Sequence, residues 1–224
     1  MLSDMELMNF QARLLFNHDE NGRLTTVNDG TNRIAPRFFL GHTKGGNVKR
    51  YLHSLGADVI EALQQATGDH DRINLAEIVH ILNRDRQLDR IWIGPAYVFP
   101  DVRGRSTQAV RITQENQSLL QSHFSDFLGD LAAMQPFFVI VRDGVAVSLC
   151  CSARLSSVGA EASVQTAADF RGKGYGVEVS IAWAAAMQSR GLIALYSTSW
   201  HNSASQAVAK KLQLIQYGTD LHFS

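Results

Sequence analysis

The sequence predicts an α/β fold built on a mixed sheet, and three observations in its second half support this class. Two apolar segments on either side of Asp143-Gly144 form a strong β-hairpin signal. A glycine-rich turn then leads from a third strand into an alanine-rich segment without proline, which predicts a largely buried helix from Gly176 to Arg190. Strand and helix patterns alternate from there to the end of the chain, as in mixed α/β proteins.

The individual elements follow from apolar periodicity and from turn residues. In the first half we expect helices at 3–15, 57–66 and 75–82, turn-rich sequence through Asn32, a strand at 37–40 and a hairpin loop at 41–46. In the second half we expect a strand at 91–99 interrupted by Gly94-Pro95, one or two amphipathic helices over 113–134, strands at 137–141, 145–152 and 160–166, the helix at 176–190, a strand at 193–199, a helix at 203–212 and a strand at 215–223. The character of the chain changes between residues 85 and 105, so we divide it into a mixed α/β region, 1–90, and a second domain, 91–224.

Charge and hydropathy limit the classes of partner. The chain has 224 residues with 21 basic and 21 acidic side chains, and this balance gives no field that would attract nucleic acid or an acidic membrane surface. Its first residues include several charged side chains and no apolar signal region, and no later stretch reaches the roughly 18 apolar residues of a membrane helix. We therefore expect a cytoplasmic protein that binds neither nucleic acid nor membrane, and a homodimer is left open.

The two cysteines, Cys150 and Cys151, are adjacent in an apolar strand. Neighbouring strand residues point to opposite faces and seldom meet disulfide geometry, so we expect reduced thiols in the core, with a substrate-site nucleophile as the alternative. The histidines, His70 among them, show no metal-ligand spacing with cysteine or carboxylate. We predict no metal site.

A glycine-rich turn, Arg171-Gly172-Lys173-Gly174-Tyr175-Gly176, separates the third strand from the long helix. Glycines allow positive φ and expose successive N–H groups, while a helix N-terminus adds partial positive charge. Arg171 and Lys173 add two formal charges, which suit the pyrophosphate of a nucleotide-like cofactor. The sequence lacks a P-loop ending and a Rossmann fingerprint, so ATP and NAD are disfavoured. The alternative is a tight turn in which the glycines serve packing alone.

Two segments carry a resemblance to a known family. The segment from Val164 to Gly176 resembles the acetyl-CoA motif of the GNAT (N-acetyltransferase) superfamily, whose pattern Gln/Arg-x-x-Gly-x-Gly/Ala is matched by Arg171, Gly174 and Gly176. Downstream, the segment from Trp200 to Leu212 resembles the family's Asn-x-x-Ala/Ser helix, which is matched by Asn202 and Ser205. The resemblance covers residues 137–224 and extends weakly back to Ile91.

The resemblance implies a GNAT-type acyl-CoA fold in the C-terminal half. The strands at 160–166 and 193–199 would splay apart and leave a slot for acetyl-CoA. In that slot, backbone groups of Gln165 and Thr166 would pair with the pantetheine amides, and Asn202 and Ser205 would contact the same arm. The pyrophosphate would lie on the turn formed by Gly172, Lys173, Gly174, Tyr175 and Gly176. Residues 1–90 would form a lid or one wall of an acceptor pocket.

The implied reaction moves an acetyl group from acetyl-CoA to an amine on a small molecule or peptide, by direct attack through a tetrahedral intermediate. Such a site needs a base for the amine and an acid for the sulfur. Glu161 is the base candidate, one residue from the family's usual glutamate. The family's acid, a tyrosine seven positions after the asparagine, is replaced here by Ala209, so Tyr196 is the acid candidate, with Ser197, Ser199 and Tyr217 as alternatives.

Two other functions stay open at this point. Because Ala209 stands where the family has its acid, the chain could be a non-catalytic acyl-CoA-binding regulatory module; turnover of acetyl-CoA separates these two functions. A mixed α/β interaction protein whose glycine turn binds nothing is the third, and a melting temperature unaffected by CoA would favour it.

Overall fold

The computed structural model describes residues 2–68 and 73–224, which contain five α-helices and eleven strands. The helices are α1 (Asp4–Leu15), α2 (Ala57–Ala66), α3 (Leu75–Asn83), α4 (Tyr175–Ser189) and α5 (Ser203–Leu212). The strands are β1 (Phe16–His18), β2 (Leu24–Val27), β3 (Phe38–Thr43), β4 (Gly46–Tyr51), β5 (Ile91–Val98), β6 (Val110–Arg111), β7 (Phe138–Arg142), β8 (Val145–Leu155), β9 (Gly159–Thr166), β10 (Ile193–Ser197) and β11 (Ile215–Phe223). The chain divides into two compact units, Met1–Ala96 with Gln216–Ser224, and Tyr97–Ile215.

The first unit is organised around α1 and a sheet in the order β4-β3-β11-β5. α1 begins with a capping box, in which Ser3 Oγ accepts the N–H of Glu6 and the Glu6 carboxylate accepts the N–H of Ser3. The helix packs closely on β3, where a Cβ atom at Gly41 would overlap the side chain of Met8. β3 pairs antiparallel with β4 and β11, so Leu40 lies between Lys49 and Leu221.

The second unit has a mixed sheet in the order β10-β9-β8-β7-β6. β10 runs parallel to β9, whereas the other neighbours are antiparallel. One face is covered by α4 and α5, with the fully buried Trp183 at the centre; its indole N–H donates to Ser152 Oγ at 3.0 Å. The other face is covered by residues 112–134, which bury Phe124 and Leu131 against the strands. This two-sided burial explains why β8 is apolar along most of its length.

The largest departure from the sequence-based expectation is the segment 113–134. It forms two short 3₁₀ helices, Gln117–Leu120 and Ser125–Phe127, joined by turns, so the predicted amphipathic α-helices are wrong. The apolar residues whose spacing suggested a helix nevertheless pack in the core or against it; they are Leu119, Leu120, Phe124, Phe127, Leu128 and Leu131. Asn, Ser, Asp and Gly residues recur between them. The Asn, Ser and Asp side chains can hydrogen-bond to the backbone in place of helical partners, as Asn116 Oδ1 does when it accepts the N–H of Thr113 at 2.8 Å.

Most other predicted elements agree with the structure to within a few residues. The helices at 57–66 and 203–212 and the strand at 215–223 are confirmed. A hairpin forms at the predicted loop 41–46, but its loop is only Lys44-Gly45, because residues 41–43 continue β3 and Gly46 begins β4. β5 runs through Gly94-Pro95 without interruption, because the φ of proline is compatible with extended backbone. The turn-rich sequence before Asn32 also contains β1 and β2, which pair with each other and are too short to give a periodic signal.

The unit boundary and the expected domain boundary describe the chain differently. The expected division between residues 90 and 91 lies just before β5. The first unit instead extends to Ala96, so the boundary falls within that strand. The last strand, from Gln216 onwards, is grouped with the first unit. The division into a region 1–90 and a GNAT domain 91–224 stays a prediction about function.

Cys150 and Cys151 should be unreactive in the folded protein. Both thiols are free and buried, and they lie in the cores on opposite faces of the sheet, as expected for adjacent strand residues. Burial raises the pKa of Cys151 to about 12 and raises the pKa of Cys150 well above its usual value, so neither forms thiolate at neutral pH. We expect a chromogenic disulfide reagent to titrate no thiol in the native protein and two in denaturant. Rapid labelling of one native thiol would contradict this packing.

Candidate functional site

The paired part of β9 and β10 is short, and the strands separate beyond it. Their parallel register joins Gly159 to Ile193, Ala160 to Ala194 and Glu161 to Leu195, and extends no further, although β9 continues to Thr166 and β10 to Ser197. A groove of about 600 Å³ opens at this separation, between β9, the glycine-rich turn, the start of α4 and one face of α5. Nine of the ten predicted cofactor-binding residues line it, all except Lys173, and Tyr196 lines it as well.

The glycine-rich turn forms one end of the groove. Gly172 and Gly174 have φ values of 78° and 86°, a left-handed conformation that favours glycine, and Gly174 is the N-cap of α4. Among the hydrogen bonds of the described residues, none uses the N–H groups of residues 172–176 as donors to other protein atoms. Five successive N–H groups at a helix N-terminus can therefore donate to an anion.

Two cationic side chains belong to this turn, and a third faces the groove from α5. Arg171 Nε donates to the Thr166 carbonyl at 3.3 Å, which leaves its terminal nitrogens for a ligand. The Lys173 ammonium lies 5.0 Å from the centre of the Phe170 ring, beside the groove. Lys211 lines the groove from α5, opposite the turn. The residues present therefore fit a phosphorylated ligand.

The α5 wall is held by Asn202 and Ser205. Asn202 is the N-cap of α5, and its Oδ1 accepts the N–H of Ser205 at 3.0 Å. Because the cap uses the carbonyl oxygen, the amide Nδ2 of this exposed side chain is the group left to donate to a ligand. Ser205 Oγ is 2.5 Å from the hydroxyl of Tyr196, which connects α5 to β10.

The backbone of β9 alternates between β8 and the groove. The N–H of Ala167 donates to Val147 O at 2.9 Å, and alternation of the antiparallel ladder then makes Leu149 and Gln165 the next hydrogen-bonded pair. The backbone groups of Gln165 therefore face β8, and its carbonyl also accepts from Ser148 Oγ at 3.0 Å. The backbone groups that face the groove belong to Val164 and Thr166. Gln165 and Thr166 were the two expected pantetheine partners, and only the backbone of Thr166 points toward the groove.

The two candidate catalytic residues lie on opposite faces of the sheet where it opens. Tyr196 packs with the α4 cluster, and burial raises the pKa of its phenol to about 12. Glu161 is buried and does not line the groove; its carboxylate accepts from Arg154 Nη1 at 2.7 Å and from Ser197 Oγ. Glu161 and Tyr196 therefore lie on opposite sides of the sheet. The hydroxyl group of Ser197 hydrogen-bonds to the Glu161 carboxylate.

Sequence reasoning missed one cation that lines the groove, Lys211, and one that contacts a groove residue from behind, Arg142. Lys211 lies on the same α5 face as Ala204 and Val208, and this i, i+4, i+7 spacing is the signal that could have identified it. Arg142, at the end of β7, lies over the Tyr175 ring at 4.8 Å and donates to its hydroxyl at 3.1 Å. No local pattern indicates Arg142, because the contact joins residues far apart in the chain.

Comparisons with known proteins agree with this geometry. The family model for GNAT acetyltransferase matches residues 93–217, more than half of the chain. The chain belongs to the GNAT acetyltransferase family. The resemblance found in the sequence and the predicted fold class are both confirmed, and the match begins close to the predicted start of the domain.

Solved structures share the fold at low sequence identity. A GCN5-related N-acetyltransferase-like protein from Streptococcus suis has a TM-score of 0.51 at 18% identity, and the match covers 99% of this chain and 100% of that one. A GNAT-family acetyltransferase from Colwellia psychrerythraea has a TM-score of 0.52 at 14% identity, covering 86% and 81%. A search of the curated proteins finds no match.

The described residues contain no cluster of metal ligands and no membrane-spanning helix. Within residues 2–68 and 73–224, no three or more His, Cys, Asp or Glu side chains converge as a metal site; His70 lies outside the described residues. In the same part of the chain, every helix is too short or too polar to traverse a bilayer.

Asn202 should contribute to stability through its cap. Asn202→Ala removes the acceptor for Ser205 N–H, and we expect the free energy of unfolding to fall by about 1 kcal/mol. Asn202→Asp keeps an acceptor and adds charge favourable to the helix N-terminus, so its stability should match the wild type. Urea unfolding of the three proteins measures the difference. Equal losses in both variants would show that the amide group, and not the cap, matters for stability.

Proposed function

We propose that the chain transfers an acetyl group from acetyl-CoA to an amine on a small molecule or peptide. The observation that carries this proposal is the groove where β9 and β10 separate, which is closed at one end by the N–H groups of residues 172–176. Membership of the GNAT acetyltransferase family supports acyl transfer as the reaction class. The acceptor and the acyl donor are the parts that need experiment.

The groove matches the two chemical halves of CoA. The pyrophosphate is doubly anionic and suits the turn, the N-terminus of α4 and the guanidinium of Arg171. The pantetheine arm carries amide groups, which suit the outward backbone groups of Val164 and Thr166 and the Nδ2 of Asn202. Along this path the thioester would reach the region of Tyr196, which is held by Ser205.

In this proposal Tyr196 is the acid for the departing thiolate. Because burial raises the pKa of the phenol to about 12, the phenol keeps its proton at neutral pH, and Tyr196 lines the groove. This acid lies on β10 rather than at the α5 position occupied by the buried Ala209. The hydroxyl of Tyr196 would thus replace that of the tyrosine that the family has at the Ala209 position.

Glu161 remains the proposed base. The amine would enter from the face opposite α4, where Ser197 Oγ donates to Glu161, so the amine proton would pass through Ser197 or a water molecule to the carboxylate. The ion pair with Arg154 holds the carboxylate in one position at the start of the opening. Acid and base on different faces would let acceptor and donor approach the thioester from two sides.

The other parts of the proposal follow from the sequence alone. A cytoplasmic location, the absence of nucleic acid and membrane partners and a role of residues 1–90 in acceptor binding stay predictions. Oligomeric state is open. The alternative function, a non-catalytic acyl-CoA-binding module, differs from the proposal in turnover and not in binding.

Acetyl-CoA binding can be tested with two glutamates on neighbouring positions of α5. Ala204 and Ser203 are both exposed in the first turn, where a carboxylate favours the helix, but only Ala204 lines the groove. We expect wild type and Ser203→Glu to bind acetyl-CoA with Kd of about 1–100 μM by calorimetry, and Ala204→Glu to bind at least about tenfold more weakly. No binding by folded wild type would refute the proposed function, and equal binding by both variants would refute the groove as the site.

Tyr196→Phe separates catalysis from binding. The variant keeps the ring in its pocket and removes only the hydroxyl, so Kd for acetyl-CoA should be unchanged while kcat falls about 10²-fold. An amine screen that follows released CoA thiol supplies the assay, since the protein's own thiols are buried. The wild-type rate should show no alkaline decrease from this phenol below about pH 10, given its pKa of about 12. An unchanged kcat in Tyr196→Phe would exclude the residue as the acid, and binding without turnover of any amine would favour the regulatory module.

A further inference from the structure

Lys211 is a cation in the groove that belongs neither to the glycine-rich turn nor to the proposed catalytic residues. It lies in the last turn of α5 with an exposed side chain that lines the groove. Lys210, its neighbour, is equally exposed but lies on another side of the helix and does not line the groove. Both lysines are favourable at a helix C-terminus, so this general effect does not distinguish them.

Contacts along α5 give the order of groups in the groove. Ser205, in the first turn, holds the hydroxyl of Tyr196. One turn later, Val208 Cγ2 is 3.5 Å from the position of a Cβ atom built on Gly176, so α5 meets the phosphate-binding turn there. Lys211 is three residues further, about 4.5 Å along the helix axis and away from Tyr196. The sequence of features is therefore Tyr196, the glycine-rich turn, and then Lys211.

CoA presents its groups in a matching order. Its thiol arm is followed by the pyrophosphate, and the pyrophosphate by a ribose that carries a separate phosphate on its 3′-oxygen. If the arm lies toward Tyr196 and the pyrophosphate on residues 172–176, the ribose phosphate falls beyond the turn, on the Lys211 side. Arg171, in the turn itself, is placed to serve the pyrophosphate, so Lys211 is the cation on the facing wall for a second anion.

We infer that Lys211 binds the ribose 3′-phosphate of CoA and makes the chain select CoA over dephospho-CoA, the analogue without that phosphate. This inference rests on the proposed function, because it requires CoA in the groove. It names a specificity-determining residue that acts on one phosphate of the donor and takes no part in acetyl transfer. Its effect should be electrostatic and sensitive to salt.

The experiment measures Kd for CoA and for dephospho-CoA by calorimetry in wild type, Lys211→Gln, Lys211→Arg and the matched control Lys210→Gln. We expect wild type and Lys210→Gln to bind CoA about five- to tenfold more tightly than dephospho-CoA, as an exposed charge pair with hydrogen bonds allows. In Lys211→Gln the CoA affinity should fall to that of dephospho-CoA, whose own affinity stays unchanged. Lys211→Arg should keep most of the preference, and higher salt should reduce it.

Four results would overturn the inference. A preference that survives in Lys211→Gln would show that another group binds the 3′-phosphate. Equal weakening of both ligands in Lys211→Gln would assign the lysine to a part that they share, such as the pyrophosphate. Equal affinity of wild type for the two ligands would refute the selection while leaving the proposed function intact, whereas binding of neither ligand would refute both.

Discussion

The site depends on the point at which β10 stops pairing with β9. Backbone N–H and C=O groups that leave a sheet need other partners, since an unpaired buried polar group costs as much free energy as a lost hydrogen bond. β8 continues to pair with β9 as far as Thr166, so only the edge of β9 that faces β10 is opened. A ligand with its own amide groups can complete that edge, which is why a pantetheine arm suits this sheet better than a purely apolar molecule does.

Gly176 connects the three walls that surround this opening. A Cβ atom at this position would lie 3.5 to 3.6 Å from Thr166, Val164 and Val208, so the start of α4 touches both β9 and α5 there. The approach brings the N–H groups of the turn to the end of the opened strand edge. The glycine-rich turn and the open edge of β9 thus form one continuous groove, because a residue without a side chain lies where they meet.

Side chains alternate along the strands, so the candidate functional residues are divided between the two faces of the sheet. Cys150 and Cys151, adjacent in β8, belong to different cores, and Tyr196 and Glu161 are divided in the same way. α4 and α5 occupy one face, where the groove lies beside Tyr196. On the other face, Glu161, Arg154 and Ser197 form a polar cluster. Under the proposed function, donor and acceptor would approach from different faces.

Local sequence was sufficient for the features that depend on neighbouring residues. The Asp143-Gly144 hairpin and the glycine-rich turn before α4 both arise from short-range backbone geometry, and both were predicted. The Asn202 cap of α5 is of the same short-range kind. Apolar spacing also identified which residues of 113–134 are buried, because burial depends on hydrophobicity whether or not the backbone is helical. The secondary structure of that segment was not predictable in the same way, since its polar side chains favour turns and the core holds the apolar ones in place.

Tertiary structure alone decided which groups meet in the groove. The register of β8 and β9 turned the backbone groups of Gln165 away from the groove, and a shift of one residue would have reversed this. The packing of α5 brought Lys211 into the groove and left Lys210 outside it, while Arg142 reached Tyr175 from a distant strand. The sequence by itself determined the turns, the caps and the identity of the family. The direction of each functional group was set by long-range pairing and packing, because contacts between distant residues leave no periodic pattern in a single chain.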